Sequence, residues 1–183
     1  MKKAWVVALV AAVMLLAGAM NASAGFRLDI DVPWYLHVGL SPQLETELNA
    51  SFGTVDIAQY AVVIPNIQAY YMFGGNMLRF GVGVRLYTVL IMNFLYPSLV
   101  AELQLGRFDV NFNAGGLAGV LLGLGPTFET ATGPWLTMDL SAGYRLTDWF
   151  RVGVGAFALA HKDYIESFPY AVYVSGKFIV NPK

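Results

Sequence analysis

The chain has 183 residues, of which 57% are hydrophobic, 14% aromatic and 13% charged, and its mean hydropathy is +0.56. Soluble domains carry about 25% charged residues, so this composition predicts an extensive apolar surface that does not face water. A formal net charge of −1 gives no field that would attract nucleic acid. The absence of cysteine excludes disulfides, thiol catalysis and thiolate metal sites.

The N-terminal segment has the three parts of an export signal. A positively charged start and an apolar core precede the small-residue cleavage site Ala22-Ser23-Ala24. We therefore predict a signal peptide over residues 1–24 and a single mature domain over residues 25–183. No later stretch reaches the roughly 20 apolar residues that a membrane-spanning helix needs.

Beyond the signal, apolar residues alternate with polar or small ones, which is the period of a strand with two different faces. Helices and closed barrels are the structures that satisfy their backbone inside a membrane. The pattern therefore predicts an all-β fold, an eight-stranded antiparallel transmembrane β-barrel. Its eight runs begin near Phe26, Val63, Leu78, Leu99, Phe108, Leu136, Phe150 and Tyr170.

The connections alternate in length, as in outer-membrane barrels with short turns at one rim and long loops at the other. We predict tight turns at 74–76, 106–107 and 147–149. The apolar segment 116–125 is expected to continue strands five and six. Longer connections are predicted near 41–54, 88–97, 116–133 and 159–167.

The two faces differ in side-chain volume. Glycines and long arginines share one face, which suits the crowded interior of an eight-stranded barrel. Phe80, Phe112 and Leu140 belong to the other face, which we predict to meet lipid. A water-soluble barrel would have the opposite sidedness. Trp34, Trp135 and Trp149 are expected in aromatic belts at the membrane interfaces.

The stretch from Gly143 to Gly153, GYRLTDWFRVG, resembles a periplasmic hairpin common in small outer-membrane barrels. With the export signal and eight strands, the chain is similar to the OmpA-barrel, OmpX and OmpW group. The resemblance implies an outer-membrane location and a non-enzymatic protein. We expect outer-membrane lipids and the barrel assembly machinery as partners, with no cofactor, no nucleic acid and a monomeric state. Such proteins usually end in an aromatic residue, whereas Phe178 is followed here by a short tail.

Charged side chains of both signs fall on the inward face. Unpaired charges in a narrow lumen are costly, so we expect them to pair and close the lower barrel. The alternative is a charged ion pathway. The members of this predicted plug are Arg27, Asp29, Asp31, Arg79, Arg85, Glu102, Asp109, Asp139, Arg145, Arg151 and Lys177.

The inward residues near the long-loop rim are instead apolar or aromatic. A pocket of this kind is the usual form of a small-ligand site, and it resembles the hydrophobic lumen of OmpW-type proteins. The alternative is that these side chains pack together without a cavity. They are Tyr35, Val62, Ile64, Tyr87, Val89, Trp135 and Phe157.

Three functional hypotheses follow. The first is a barrel that binds or conducts small hydrophobic molecules, and the second is a structural or surface-interaction barrel with a plugged lumen. The third is an enzyme acting on lipid A, for which Ser41 near His37 lacks a convincing acid partner. His37 and His161, with Asp163 and Glu166, give only a weak divalent-metal pattern, so we predict no metal site.

Overall fold

The computed structural model describes residues 24–40, 46, 62–89, 92–122, 128–161 and 169–180. They form one antiparallel sheet that closes on itself. The predicted signal peptide lies outside the described residues except for residue 24. The strands are β1 (Gly25–Gly39), β2 (Val62–Val63), β3 (Asn66–Gly74), β4 (Leu78–Val89), β5 (Met92–Leu105), β6 (Phe108–Leu122), β7 (Phe128–Arg145), β8 (Phe150–His161) and β9 (Tyr170–Val180).

The short β2 and the longer β3 occupy one position in the barrel. Trp34 pairs with Val63 and Asp31 pairs with Asn66, which is one continuous register against β1. Pro65 separates the two segments because proline cannot donate a ladder hydrogen bond. The ring therefore has eight positions, which confirms the predicted eight-stranded antiparallel barrel.

The barrel closes where β1 pairs with β9. Asp31 lies opposite Lys177 and Tyr35 opposite Tyr173, with one irregularity in register between Tyr35 and His37. Closure removes the unpaired edges that open sheets expose. Within the described ranges, no helix has the length and apolar character needed to cross a membrane.

The connections agree with the prediction at one rim and differ at the other. Residues 75–77, 106–107 and 146–149 form the three short turns. The predicted loop at 88–97 is wrong, because Val89 of β4 pairs directly with Met92 of β5. Pro97 lies where β5 loses register with β6, between Leu95 and Ser98, so the bulge accommodates its missing N–H.

The predicted extension of strands five and six is confirmed. β6 continues to Leu122 and β7 begins at Phe128, so most of the segment 116–133 is strand and the long connection predicted there is wrong. A bulge interrupts this pair between Gly116 and Ala118, where Leu117 takes a left-handed φ of 68°. The predicted loop at 41–54 lies outside the described residues apart from Thr46, and 162–168 also lies outside them.

The sidedness of the wall agrees with the prediction. Leu140 is 55% exposed and Phe112 43%, and Phe80 is partly exposed, whereas Arg27 and Arg151 are buried in the lumen. Trp34 and Trp149 point outward, in agreement with the predicted aromatic belts. Trp135 does not, because it is only 9% exposed and packs inside the barrel.

Candidate functional site

The half of the lumen nearest the short turns is crossed by ion pairs. Arg27 of β1 binds Asp29 in a bidentate pair, with Nε–Oδ1 and Nη2–Oδ2 distances of 2.7 Å. Its Nη1 also donates to Oε2 of Glu102 on β5, at 2.7 Å. β1 and β5 are three positions apart in a ring of eight, so this contact spans the lumen.

Glu102 is the centre of this network. Its Oε1 lies 3.0 Å from Nη2 of Arg145 and 4.0 Å from Nη1 of Arg79, in addition to the contact with Arg27. Arg145 continues to Asp109, with an Nε–Oδ2 distance of 3.3 Å. Asp109 also pairs with Arg151, whose Nε lies 2.5 Å from Oδ1. One carboxylate thus faces three guanidinium groups.

Lys177 completes the network at the closing seam. Its Nζ lies 3.9 Å from Asp29 and 3.8 Å from Asp31, so it bridges β9 to two residues of β1. Lys177, Asp29 and Asp31 are all buried. The set that these pairs connect is called the plug network below. It contains Arg27, Asp29, Asp31, Arg79, Glu102, Asp109, Arg145, Arg151 and Lys177.

The remaining two predicted plug residues form a separate pair at mid-height. Nη2 of Arg85 lies 2.6 Å from Oδ2 of Asp139, again across three positions of the ring. The Tyr173 hydroxyl donates to the other Asp139 oxygen at 2.6 Å. The Arg85 guanidinium also lies 4.8 Å from the centre of the Tyr87 ring, a cation–π contact. The bore is therefore crossed at two levels.

Inward glycines make room for these long side chains. A Cβ built on Gly143 would collide with the guanidinium of Arg151, and one built on Gly155 would collide with the ring of Tyr173. An eight-stranded interior is just wide enough to be filled by side chains. The glycines on the polar face therefore leave the space that the neighbouring arginine and tyrosine side chains occupy.

Aromatic rings fill the lumen beyond the Arg85–Asp139 pair. Tyr87 stacks on Tyr96 with ring centres 6.0 Å apart, and Trp135 contacts Phe94 at 5.1 Å and Tyr96 at 5.5 Å. Phe157 packs edge-on against Tyr87 at 5.9 Å. These residues are called the aromatic layer below.

The predicted ligand residues come together only in part. Tyr35, Ile64, Tyr87, Trp135 and Phe157 pack in the outer half of the lumen. The side chains of Val62 and Val89 lie outside those that the structure describes. Sequence reasoning missed Phe94 and Tyr96, because it placed them in a loop, and also Tyr173, which it did not count among the ligand residues.

The indole Nε1 of Trp135 is buried and has no hydrogen-bond partner among the described residues. The hydroxyl of Tyr96 interacts with those of Thr137 and Tyr87, and the Tyr87 hydroxyl also interacts with that of Tyr35. Buried polar groups normally have partners, so Trp135 offers an unused hydrogen-bond donor in this layer.

The residues considered for metal binding or lipid A chemistry are not brought into one site by the described part of the chain. His37 Nε2 lies 3.5 Å from the hydroxyl of Tyr170 on the outer wall. Ser41, Asp163 and Glu166 lie outside the described residues, and the side chain of His161 is not described. Within the described ranges, no group of three His, Cys, Asp or Glu residues is placed to hold a metal.

Comparison with known proteins assigns the chain to no family. No protein-family model and no curated protein matches the chain. The N-terminal β-barrel domain of Pseudomonas aeruginosa OprF is similar with a TM-score of 0.44 and 9% identity, over 88% of this chain and 98% of that chain. Neisserial surface protein A (NspA) is similar with a TM-score of 0.47 and 16% identity, over 87% and 98%. Neither comparison shows whether the chain belongs with the OmpA-barrel, OmpX or OmpW proteins.

Replacing the central carboxylate tests whether the plug network stabilises the barrel. We expect Glu102→Gln to lower the free energy of unfolding by about 3–5 kcal/mol, because three guanidinium groups lose a buried counter-charge. Urea unfolding of the protein in lipid vesicles measures this. Asp148→Asn makes the same change on an exposed turn and should stay within about 0.5 kcal/mol. Equal effects of the two variants would contradict the role given to Glu102.

Proposed function

We propose that this chain is a bacterial outer-membrane protein whose barrel spans the bilayer and whose lumen is closed to ion flow. It acts through its fold and its surfaces rather than as an enzyme. The observation that carries the proposal is the sidedness of the wall. Among the strand residues whose side chains are described, the charged ones point into the lumen.

The composition of the outer wall supports a lipid surrounding. Leu99, Phe112, Leu140 and Val154 are each more than 40% exposed on different strands. Monomeric soluble proteins rarely expose continuous apolar patches of more than a few hundred Å², and here the apolar surface surrounds the barrel. Hydrocarbon removes the cost of that exposure.

The location in the outer membrane rests on two features together. The predicted signal peptide over residues 1–24 directs the chain out of the cytoplasm. Closed barrels with short turns at one rim are typical of outer membranes. We propose outer-membrane lipids and the barrel assembly machinery as partners of a monomer. Phe178 and Val180, outward-facing at the end of β9, are the residues we propose that the machinery recognises.

Closure of the lumen supports a plugged barrel over a channel. The Arg27–Glu102 contact at 2.7 Å and the Arg85–Asp139 contact at 2.6 Å join distant strands across the bore at two heights. Between them, the Tyr70 hydroxyl donates to Oδ1 of Asn113 at 2.7 Å, also across three positions. A hydrated ion would have to break these contacts in order to pass.

A charge placed on the outer wall tests the membrane assignment. We expect Leu140→Arg to destabilise the barrel in lipid vesicles by about 2–4 kcal/mol, the cost of a charged residue at the bilayer midplane. The matched substitution Leu146→Arg, on a short turn, should cost about 0–1 kcal/mol. Urea unfolding compares the two. A water-soluble barrel would tolerate Leu140→Arg, since the site is exposed, and that result would overturn the proposal.

Electrical recording tests the closed lumen. We expect no steady conductance above that of the bare bilayer, because the plug network and the Arg85–Asp139 pair both obstruct the bore. The same preparation should migrate differently on gels before and after boiling, which verifies that the barrel is folded. A stable ohmic current from such a sample would show that the lumen is open.

The unused indole donor of Trp135 favours a second candidate function, the binding of a small apolar molecule. Such a ligand would lie among aromatic rings, above a closed floor, and would accept a hydrogen bond from Trp135 Nε1. An aromatic ketone has this chemistry. The proposal concerns binding only, since the floor beneath the layer is closed.

Equilibrium dialysis with 2-acetylnaphthalene tests this second function. We expect Trp135→Phe to weaken binding by up to about tenfold, because it keeps an aromatic ring and removes one hydrogen bond of roughly 0.5–1.5 kcal/mol. Trp149→Phe, on the outer wall, should leave binding unchanged. Uptake equal to that of protein-free vesicles, or equal uptake by both variants, would exclude the site.

A further inference from the structure

Two of the three short turns expose apolar side chains. The three turns, Gly75–Met77, Gly106–Arg107 and Leu146–Trp149, are called the turn rim below. Met77 is 59% exposed, Leu146 49% and Trp149 56%. Turns that face water are usually built from Gly, Pro, Asn, Asp and Ser. Exposing the methionine, leucine and tryptophan to water is unfavourable, so we expect an apolar neighbour outside the protein to cover them.

The last carbonyl of each turn in the turn rim is paired within the protein. Met77 O accepts a hydrogen bond from Gln104 N at 2.7 Å, and Arg107 O accepts one from Arg145 N at 2.8 Å. In the third turn, Trp149 O accepts from Ile179 N, also at 2.8 Å. Each donor lies on the strand that follows around the ring. A paired carbonyl loses little when water is removed, whereas an unpaired one costs several kcal/mol in hydrocarbon.

The apolar wall continues into the turn rim at three places. An outward aromatic pair lies at each turn: Phe73 with Phe80, Phe108 with Tyr144, and, within the third turn, Trp149 with Phe178 of β9. The three turns join different neighbouring strands, so these contacts are spread around the barrel. A lipid leaflet that surrounds the barrel fits this arrangement better than a protein that docks on one side.

We propose that the turn rim is immersed in the inner leaflet of the outer membrane, with glycerophospholipid as its partner. The inference rests on the proposed function. Met77, Leu146 and Trp149 lie at the level of the glycerol backbone and the upper acyl chains. Arg107, exposed in the second turn, extends its side chain to a lipid phosphate. The membrane-contacting surface thus includes the turns and does not stop at the strand ends.

Single cysteines test this placement, since the chain has none of its own. Met77→Cys and Leu146→Cys are labelled with an environment-sensitive fluorophore in lipid nanodiscs, which leave both faces open to solvent. Leu99→Cys, on the outer wall, is the membrane control, and Thr46→Cys, exposed in the predicted first long loop, is the aqueous control. Lipids brominated near the glycerol backbone or near the chain ends, and aqueous iodide, serve as quenchers.

We expect labels at M77C and L146C to lose fluorescence most with lipids brominated near the glycerol backbone. Their iodide quenching constants should be several-fold lower than that of T46C. Iodide quenching equal to that of T46C, with no effect of brominated lipid, would overturn the inference. Protection of the turns in cells but not in nanodiscs would also overturn it and indicate a protein partner. If L99C itself escapes the brominated lipids, the proposed function fails as well.

Discussion

The pairing of charges across a narrow bore is the constraint on which the rest of this structure depends. A barrel of eight strands has no room for hydrated ions beside long side chains. Arg27 must therefore meet Glu102 directly, and Arg151 must meet Asp109. Glycines such as Gly143 are required where these side chains pass the wall. Removing water from charged groups is expensive, and several hydrogen bonds per group offset that cost.

The lumen divides into two chemical regions because its charges are concentrated toward the turn rim. The plug network is joined from strand to strand by ion pairs, whereas the aromatic layer is held by ring contacts near 5–6 Å. The Arg85–Asp139 pair lies between them, with Tyr173 and Tyr87 as partners. This arrangement separates a polar floor from an apolar, aromatic upper layer within one continuous wall.

Strands and sidedness could be predicted because the alternation is strict wherever the lumen is polar. In β1 as far as Tyr35 and in β6 as far as Ala114, apolar residues alternate with polar ones or proline, so the period of two identifies both faces. The prediction failed for 88–97 because the aromatic layer is itself apolar. Phe94 and Tyr96 face inward while Leu95 faces outward, so the contrast between the faces disappears. Trp135 was expected both in an aromatic belt and among the inward residues, and the structure confirms the inward position. The individual ion pairs could not be predicted, since they depend on barrel register and join residues as far apart as Arg27 and Glu102.

Glu102 also has a consequence for how the chain folds. Its three guanidinium neighbours come from β1, β4 and β7, and Lys177 of β9 reaches the network only across the closing seam. A half-built sheet would therefore carry unneutralised charge, which hydrocarbon does not tolerate. In the proposed membrane setting, the polar face therefore has to stay hydrated until the first and last strands meet.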